Sequence, residues 1–210
     1  MENRGRKEMD VEGRLIEMEY SIGNHELNVI LAHGLYNDMH NSLIEKLFSR
    51  LMAGYNVLRF NFSFSGNPES MDTSRCVREI KAGMHFLDDK NIILIGKSVG
   101  GYVSSIAAAT DSTGIKEVIA LGYYLHDEGK PDKLFDQSHA KNLKTPFILI
   151  KGSDDSYCET GLFKSLFPDS KLYIIDNANH SFKPTGSSGT KEENEEKVIE
   201  LVLDELHNIS

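Results

Sequence analysis

Gly96-Lys97-Ser98-Val99-Gly100-Gly101 lies between an apolar run at residues 91–95 and a stretch of small residues with helical character at residues 102–110. The six residues contain the pattern G-x-S-x-G at a predicted strand-to-helix turn, which holds the Ser98 hydroxyl clear of the backbone on a sharp, strained bend. The glycines two positions before and after the serine make the bend possible, because side chains there would collide where strand and helix approach each other. We therefore predict Ser98 as a nucleophile and the backbone N–H of Val99 as a donor to the oxyanion formed beside it.

The same residues also end a phosphate-binding pattern, G-x-x-x-x-G-K-[ST]. Its first glycine would fall at position 91, which is Asn91, and residues 92–95 read Ile-Ile-Leu-Ile, which is typical of a buried strand. A phosphate loop needs successive free N–H groups, and a paired strand has none to offer. The sequence therefore disfavours nucleotide binding at this turn.

Length and composition predict a single α/β domain over residues 1–210, because 40% of the residues are hydrophobic and can form a substantial core. Residues 1–13 are charged, lack the apolar stretch of a signal peptide, and are predicted to be a flexible N-terminal segment.

The net charge of −9 argues against nucleic acid and anionic membrane as partners. No apolar run approaches the ~20 residues that span a bilayer. Cys76 and Cys158 show neither a disulfide framework nor metal-ligand spacing, and they are compatible with a reducing compartment. With no visible signal peptide or spanning run, we predict a cytoplasmic protein, and we predict no metal or cofactor.

Apolar runs with β character alternate with helical periodicity along nearly the whole chain. Asp72 is a predicted N-cap, and Thr190 with Glu193 form a predicted capping box. Strands this apolar, separated by helices, imply a mostly parallel sheet covered on both faces. Strands are predicted at residues 15–20 (an edge strand), 27–33, 56–62, 91–95, 117–122, 146–151 and 171–176, and helices at 41–54, 73–88, 102–110 and about 191–207.

Polar residues follow these strands at their carboxyl ends, where chemistry collects in open parallel sheets. Ser98 follows the central strand, Asp154 and Asp155 follow a later one, and His180 follows the last. The chain order of nucleophile, acid and histidine is that of α/β-hydrolases. A serine hydroxyl needs a base to take its proton, which His180 can supply, and an acid on the far ring nitrogen holds the histidine in the right tautomer. Only one of two adjacent carboxylates usually points inward, and the residues alone leave Asp154 and Asp155 both open.

The chain resembles the small, cap-less α/β-hydrolases of dienelactone-hydrolase type, and within them the group that includes the testis-expressed hydrolase-like proteins. The resemblance covers about residues 25 to 207. It rests on an ordered set of motifs: Ile30-Leu31-Ala32-His33-Gly34, Leu58-Arg59-Phe60-Asn61-Phe62, the glycine-flanked serine turn, Ala120-Leu121-Gly122-Tyr123, Gly152-Ser153-Asp154-Asp155 and Asn179-His180-Ser181-Phe182.

The resemblance implies the α/β-hydrolase fold without a large cap domain, and roles for individual residues. In that group the acid falls three residues after the glycine that ends its strand, which is Gly152 here, so the implied acid is Asp155. The implied oxyanion hole consists of the backbone N–H groups of Val99 and Leu35. The group often has small residues after His-Gly, whereas this chain has the bulkier Leu35 and Tyr36.

The expected activity is the hydrolysis of an ester or thioester of a small-molecule acyl substrate through an acyl-enzyme intermediate. Two alternatives stay open at this stage: a non-catalytic binding scaffold on the same fold, and peptide or carbon–carbon bond hydrolysis at the same three residues. His33 is interpreted as a structural histidine that ties down the oxyanion loop. The candidates for pocket walls are Phe62, Phe64, Tyr123 and Tyr124.

Overall fold

A computed structural model describes residues 3–209 of the chain. The strands are β1 (Asn3–Val11), β2 (Arg14–Ile22), β3 (Asn28–Ala32), β4 (Asn56–Phe60), β5 (Ile92–Ser98), β6 (Ile115–Tyr123), β7 (His126–Asp127), β8 (Lys130–Leu134), β9 (Phe147–Asp154) and β10 (Lys171–Asn179). The helices are α1 (Ser42–Leu51), α2 (Thr73–Phe86), α3 (Val99–Thr110), α4 (Thr160–Leu166) and α5 (Lys191–Ile209). Within this part of the chain no helix combines the length and apolarity needed to cross a bilayer.

Eight of these strands form one sheet in the order β1-β2-β4-β3-β5-β6-β9-β10. β1 and β2 run antiparallel to their neighbours, and every other pairing in the sheet is parallel. The predicted mostly parallel sheet is therefore confirmed. Because the parallel strands point the same way, the loops after β3, β5, β6, β9 and β10 meet at one edge of the sheet.

Helices cover both faces of the sheet, as the sequence predicts. Successive side chains of a strand point to opposite faces, so Leu94 packs with α2, α3 and α4, whereas Ile93 and Ile95 pack with α1 and α5. The capping box of α5 is also confirmed: the Thr190 hydroxyl accepts from the Glu193 N–H at 3.1 Å, and the Glu193 carboxylate accepts from the Thr190 N–H at 2.8 Å. No separate cap domain is inserted between residues 3 and 209.

The prediction of a flexible N-terminal segment is wrong for residues 3–11, which form β1 and pair along their whole length with β2. Residues 1 and 2 of that segment lie outside the described residues. Charged side chains hide the alternation of this strand, since only Met9 and Val11 are buried in it. The predicted edge strand at 15–20 is consequently an inner strand, because β2 lies between β1 and β4.

Candidate active site

Ser98 occupies the turn between β5 and α3 with a backbone that L-residues rarely adopt, φ 55° and ψ −118°. The close approach predicted at the flanking glycines is present. A Cβ on Gly96 would lie 2.2 Å from the carbonyl carbon of Gly100, and a Cβ on Gly100 would lie 2.4 Å from the carbonyl oxygen of Ala32. Both distances are far inside van der Waals contact, so the strained serine conformation depends on two positions that accept only glycine.

Three side chains predicted from strand ends meet in one hydrogen-bonded chain. His180 Nε2 lies 2.8 Å from Ser98 Oγ, and His180 Nδ1 lies 2.8 Å from Asp155 Oδ1. A carboxylate only accepts, so the ring proton is on Nδ1 and Nε2 is left to accept from the serine hydroxyl. Asp155 Oδ1 also accepts from the Tyr157 N–H at 2.9 Å. Asp154 instead accepts from the Thr185 hydroxyl and does not contact the imidazole.

A tight turn after β10 aims His180 at the serine. The Asn179 side-chain oxygen accepts from the N–H groups of Ser181 at 2.9 Å and Lys183 at 3.1 Å. The Phe182 side chain is fully buried between the sheet and α5, which anchors the far side of the turn. The strand beneath comes close here, because a Cβ on Gly152 would lie 2.0 Å from the carbonyl oxygen of Ala178.

Residues 25–208 match the family described as alpha/beta hydrolase domain. The chain belongs to this family. Solved structures share its fold: a dienelactone hydrolase of Anabaena variabilis (20% identity, 95% of this chain and 96% of the other, TM-score 0.73) and an esterase of Pyrococcus furiosus (20%, 96% and 92%, 0.73). A third is a thioesterase domain from the curacin biosynthetic pathway (14%, 96% and 99%, 0.75). The predicted α/β-hydrolase fold is confirmed, and family membership supports hydrolytic activity.

The environment of this α/β-hydrolase site keeps the His180 imidazole neutral. Burial, first, and the nearby positive charge of Lys97, second, lower the pKa of His180 below its usual 6.5. The hydrogen bond and charge of Asp155 and the charge of Glu128 oppose this change. Because the first two effects prevail, the neutral ring with its free Nε2 lone pair is the main form at neutral pH.

The loop after β3 passes directly beside the serine and is held by His33. A Cβ on Gly34 would lie 3.2 Å from the Ser98 Cβ. His33 Nε2 accepts from the Phe62 N–H at 3.0 Å, so the ring proton is on Nδ1, which donates to the Gly34 carbonyl at 2.8 Å. Burial lowers the pKa of His33 to about 4, so it stays neutral and ties the loop down. This is the structural role that the sequence predicts.

The two backbone groups expected to form the oxyanion hole belong to Val99 and Leu35, which follow Ser98 and Gly34 where these two residues approach each other. Val99 is the first residue of α3, where backbone N–H groups lack partners within the helix. Leu35 follows Gly34 and lines the same cleft as Ser98. The helix N-terminus and the loop therefore both border the serine.

The serine opens into a cleft of about 870 Å³ whose wall the sequence predicted only in part. Of the four aromatic candidates, Tyr124 lines the cleft, whereas Phe62, Phe64 and Tyr123 are at most 1% exposed and belong to the core. The Tyr124 ring stacks on that of Phe135 at a centroid distance of 4.1 Å. Buried aromatic residues next to strand ends give no local signal of whether they face a core or a cleft.

Other cleft residues escaped sequence reasoning. The Tyr157 ring packs on that of His180 at 4.5 Å between centroids, and its hydroxyl donates to Glu128 at 3.1 Å. Glu128, Asp127 and Lys130 reach the cleft from the β7–β8 hairpin. Tyr157 stands two residues after Asp155, and this proximity is the one signal that points to it. The hairpin residues lie 25 to 32 positions from Ser98 and Asp155 along the chain, and no local signal points to them.

Proposed function

We propose that this α/β-hydrolase cleaves an ester or thioester through an acyl-enzyme intermediate on Ser98. The observation that supports it is the unbroken chain from Ser98 Oγ through both ring nitrogens of His180 to Asp155, with 2.8 Å at each step. Neutral His180 takes the hydroxyl proton as Oγ attacks the carbonyl carbon. The same proton passes to the leaving alkoxide or thiolate as the tetrahedral intermediate collapses, and water then hydrolyses the acyl-enzyme by the reverse route.

The remaining roles in the proposal follow from position. Asp155 keeps the ring proton on Nδ1 and stabilises the imidazolium that forms, while the N–H groups of Val99 and Leu35 bind the oxyanion. The cleft is uncovered and fits small or protruding acyl groups. Three solved structures of this fold are named as an esterase, a thioesterase domain and a dienelactone hydrolase, which agrees with acyl transfer. The proposal includes a single domain over residues 1–210, a cytoplasmic location, no cofactor, and kinship with the testis-expressed hydrolase-like group.

Covalent labelling and turnover test this proposal together. The wild-type protein should react with a fluorophosphonate, peptide mapping should place the label on Ser98, and Ser98→Ala should abolish both labelling and the hydrolysis of short p-nitrophenyl and thioester acyl substrates. Ser112→Ala, an exposed serine beyond the other end of α3, is the matched control and should keep both. A folded wild-type protein that is never labelled would instead favour the binding scaffold.

A further inference from the structure

A buried lysine lies directly beneath the proposed catalytic residues. Lys97 precedes Ser98 on β5 and is 7% exposed. Its Nζ donates to the backbone carbonyl of His180 at 2.7 Å and lies 5.5 Å from the centre of the Phe182 ring. Removing an ammonium group from water is costly unless its surroundings compensate, and an apolar side chain would fill a strand end more cheaply. The roles assigned so far to β5 do not require a lysine at this position.

We propose that Lys97 is a positioning residue for this reaction: it ties the turn that carries His180 to the strand that carries Ser98, and it places a positive charge beneath the imidazole. This inference rests on the proposed function, since it concerns the same proton transfer. It adds a residue that acts on the proton transfer through His180.

The tie is geometrically specific, because it engages the residue whose ring must reach the serine. His180 is thus held to β5 twice, once through its ring to Ser98 and once through its carbonyl to Lys97. Gly122 on β6 leaves the space that the lysine crosses: a Cβ there would lie 3.0 Å from the His180 carbonyl oxygen and 3.1 Å from Lys97 Nζ. Its φ of 64° also favours glycine. The ends of β5, β6 and β10 therefore all contribute to the space and the contacts that hold the Lys97 ammonium group.

The charge of Lys97 acts on the imidazole against Asp155. An Asp155 carboxylate at the ring is needed for orientation, yet by itself it raises the pKa of His180 and favours the imidazolium that cannot act as a base. Lys97 lowers that pKa, and Glu128 raises it from the cleft side. The Tyr157 phenol on the ring face is neutral, since burial raises its pKa to about 12.

Lys97 keeps its charge over the pH range in which this matters. Burial, first, and the charge of Lys191, last, lower the pKa of Lys97 to about 8, while Asp155 opposes them. His180 titrates below 6.5, so the ammonium is charged whenever the imidazole changes protonation. Lys97 therefore keeps His180 neutral, and able to act as a base, at a lower pH than His180 would be without it.

A second buried lysine provides a matched control. Lys151 on β9 is 2% exposed, and its Nζ donates to the Cys158 carbonyl at 2.5 Å and to the Thr160 hydroxyl at 3.2 Å. It thus ties the loop that carries Asp155 as Lys97 ties the turn that carries His180. The largest influences on the pKa of His180 include the charge of Lys97 and not that of Lys151. Lys151 therefore shares the structural tie without a comparable electrostatic influence on the imidazole.

The test is the rate of Ser98 phosphonylation by a fluorophosphonate as a function of pH, which requires a neutral His180 and no knowledge of the natural substrate. Lys97→Met should slow the reaction at least about tenfold and move the midpoint of the acid limb up by about one pH unit, as expected for the loss of a unit charge a few ångströms away. Lys97→Arg retains the charge and should keep the wild-type midpoint even where its rate falls. Lys151→Met should lower the rate without moving the midpoint.

Circular dichroism and thermal melting establish that each variant is folded. If Lys97→Met is too slow to label, the ¹H–¹³C NMR titration of the His180 ring in that variant gives the same midpoint without turnover. A wild-type midpoint in Lys97→Met, or an equal shift in Lys151→Met, overturns the inference and leaves the proposed function standing. Wild-type Ser98 that never reacts overturns the proposed function itself, and the inference with it.

Discussion

Asp154 and Asp155 are adjacent in the chain, yet they lie in different surroundings. Asp154 ends β9, is exposed, and accepts from the Thr185 hydroxyl on the neighbouring loop. Asp155 begins the turn after the strand, its N–H bonds to the Gly152 carbonyl at 3.3 Å, and its side chain is fully buried beside His180. Because successive side chains of an extended chain point to opposite sides, the Asp154 carboxylate lies at the surface and the Asp155 carboxylate lies against the imidazole.

We expect Asp155→Asn to lower kcat for a short acyl ester by as much as ~10⁴-fold, because an amide NH₂ facing Nδ1 favours the wrong histidine tautomer. Asp154→Asn should change kcat by less than about threefold, since the substitution is exposed and keeps an acceptor for Thr185. Steady-state kinetics of the two purified variants at pH 8 compare the effects directly. A larger loss in Asp154→Asn would reverse the assignment.

At the scale of the elements, the turn around Ser98 depends on how closely α3 approaches β3. Alanine is favoured over glycine within a helix by about 1 kcal/mol, so propensity alone predicts that Gly100→Ala stabilises the protein. The added methyl group would, however, lie 2.4 Å from a backbone oxygen of Ala32, which cannot rotate away. Overpacking of this kind costs about 1–3 kcal/mol or more and exceeds the helix gain.

We therefore expect Gly100→Ala to lower the free energy of unfolding by up to about 2 kcal/mol, the overpacking cost less the helix gain, as measured by urea denaturation followed by circular dichroism. Gly54→Ala is the matched control, because a Cβ at Gly54 meets no heavy atom within 4 Å. It should change the free energy of unfolding by less than about 0.5 kcal/mol. Equal stabilities of the two variants would show that α3 can move away from β3 without cost.

The elements that sequence analysis predicted are those whose buried residues form a regular pattern, either a continuous apolar run or a helical stripe. The strands around Ser98 are buried on both faces and read as continuous apolar runs, and α1 has a regular buried stripe. β8 is exposed at every position and contains Pro131, so it carries no period, and α4 has only 7 residues, too few for a helical period to stand out. β8, like β1, is held by pairing with a neighbouring strand, which local sequence does not display.

The same distinction applies to the candidate site. Ser98, Asp155 and His180 were predictable because strand order and the strand-end rule place them at one edge, and the resemblance selected one of the two carboxylates. The contact of Lys97 with a residue 83 positions away, and that of Glu128 with Tyr157, arise from the packing of loops. No period or motif encodes such contacts.

At the scale of the whole molecule, buried histidines couple folding to pH. Burial lowers the pKa values of His33 and His139 to about 4, so between pH 6.5 and 4 the unfolded chain binds protons there that the folded chain does not. This stability is present above about pH 6.5 and is lost as pH falls towards 4. Glu117 acts the other way, since burial raises its pKa to about 7 and the folded state gains its proton first. Two histidines outweigh one carboxyl group, and His180, whose pKa burial also lowers, acts in the same direction.

We expect the free energy of unfolding to be roughly 2–3 kcal/mol lower at pH 4 than at pH 7, the balance of shifts worth about 1.4 kcal/mol for each pH unit. Urea denaturation across this range measures it. His139→Gln removes one of these titrations and should flatten the dependence of the free energy of unfolding on pH, whatever it does to stability at pH 7. Stability that rises towards pH 4 would show that Glu117 prevails.

Activity in the folded protein should depend on pH through the protonation of His180. Protonated His180 cannot accept the Ser98 proton, so kcat/KM for a neutral ester should fall towards acid with a single ionisation. The midpoint should lie below the ordinary 6.5 of histidine, because burial and Lys97 lower the pKa of His180.

Two nearby histidines provide the controls for that limb. His126 Nε2 accepts from the Glu159 N–H at 3.1 Å, and both nitrogens of His33 are engaged by backbone groups of Gly34 and Phe62. His126→Gln and His33→Gln should therefore lower the plateau at most and keep the midpoint, whereas His180→Gln should abolish turnover at every pH. Since the free energy of unfolding also falls below pH 6.5, each rate is measured at a pH where denaturation shows the variant more than 95% folded, a threshold of about 1.7 kcal/mol. A midpoint above 6.5, or one that moves in His126→Gln, would assign the limb to another group.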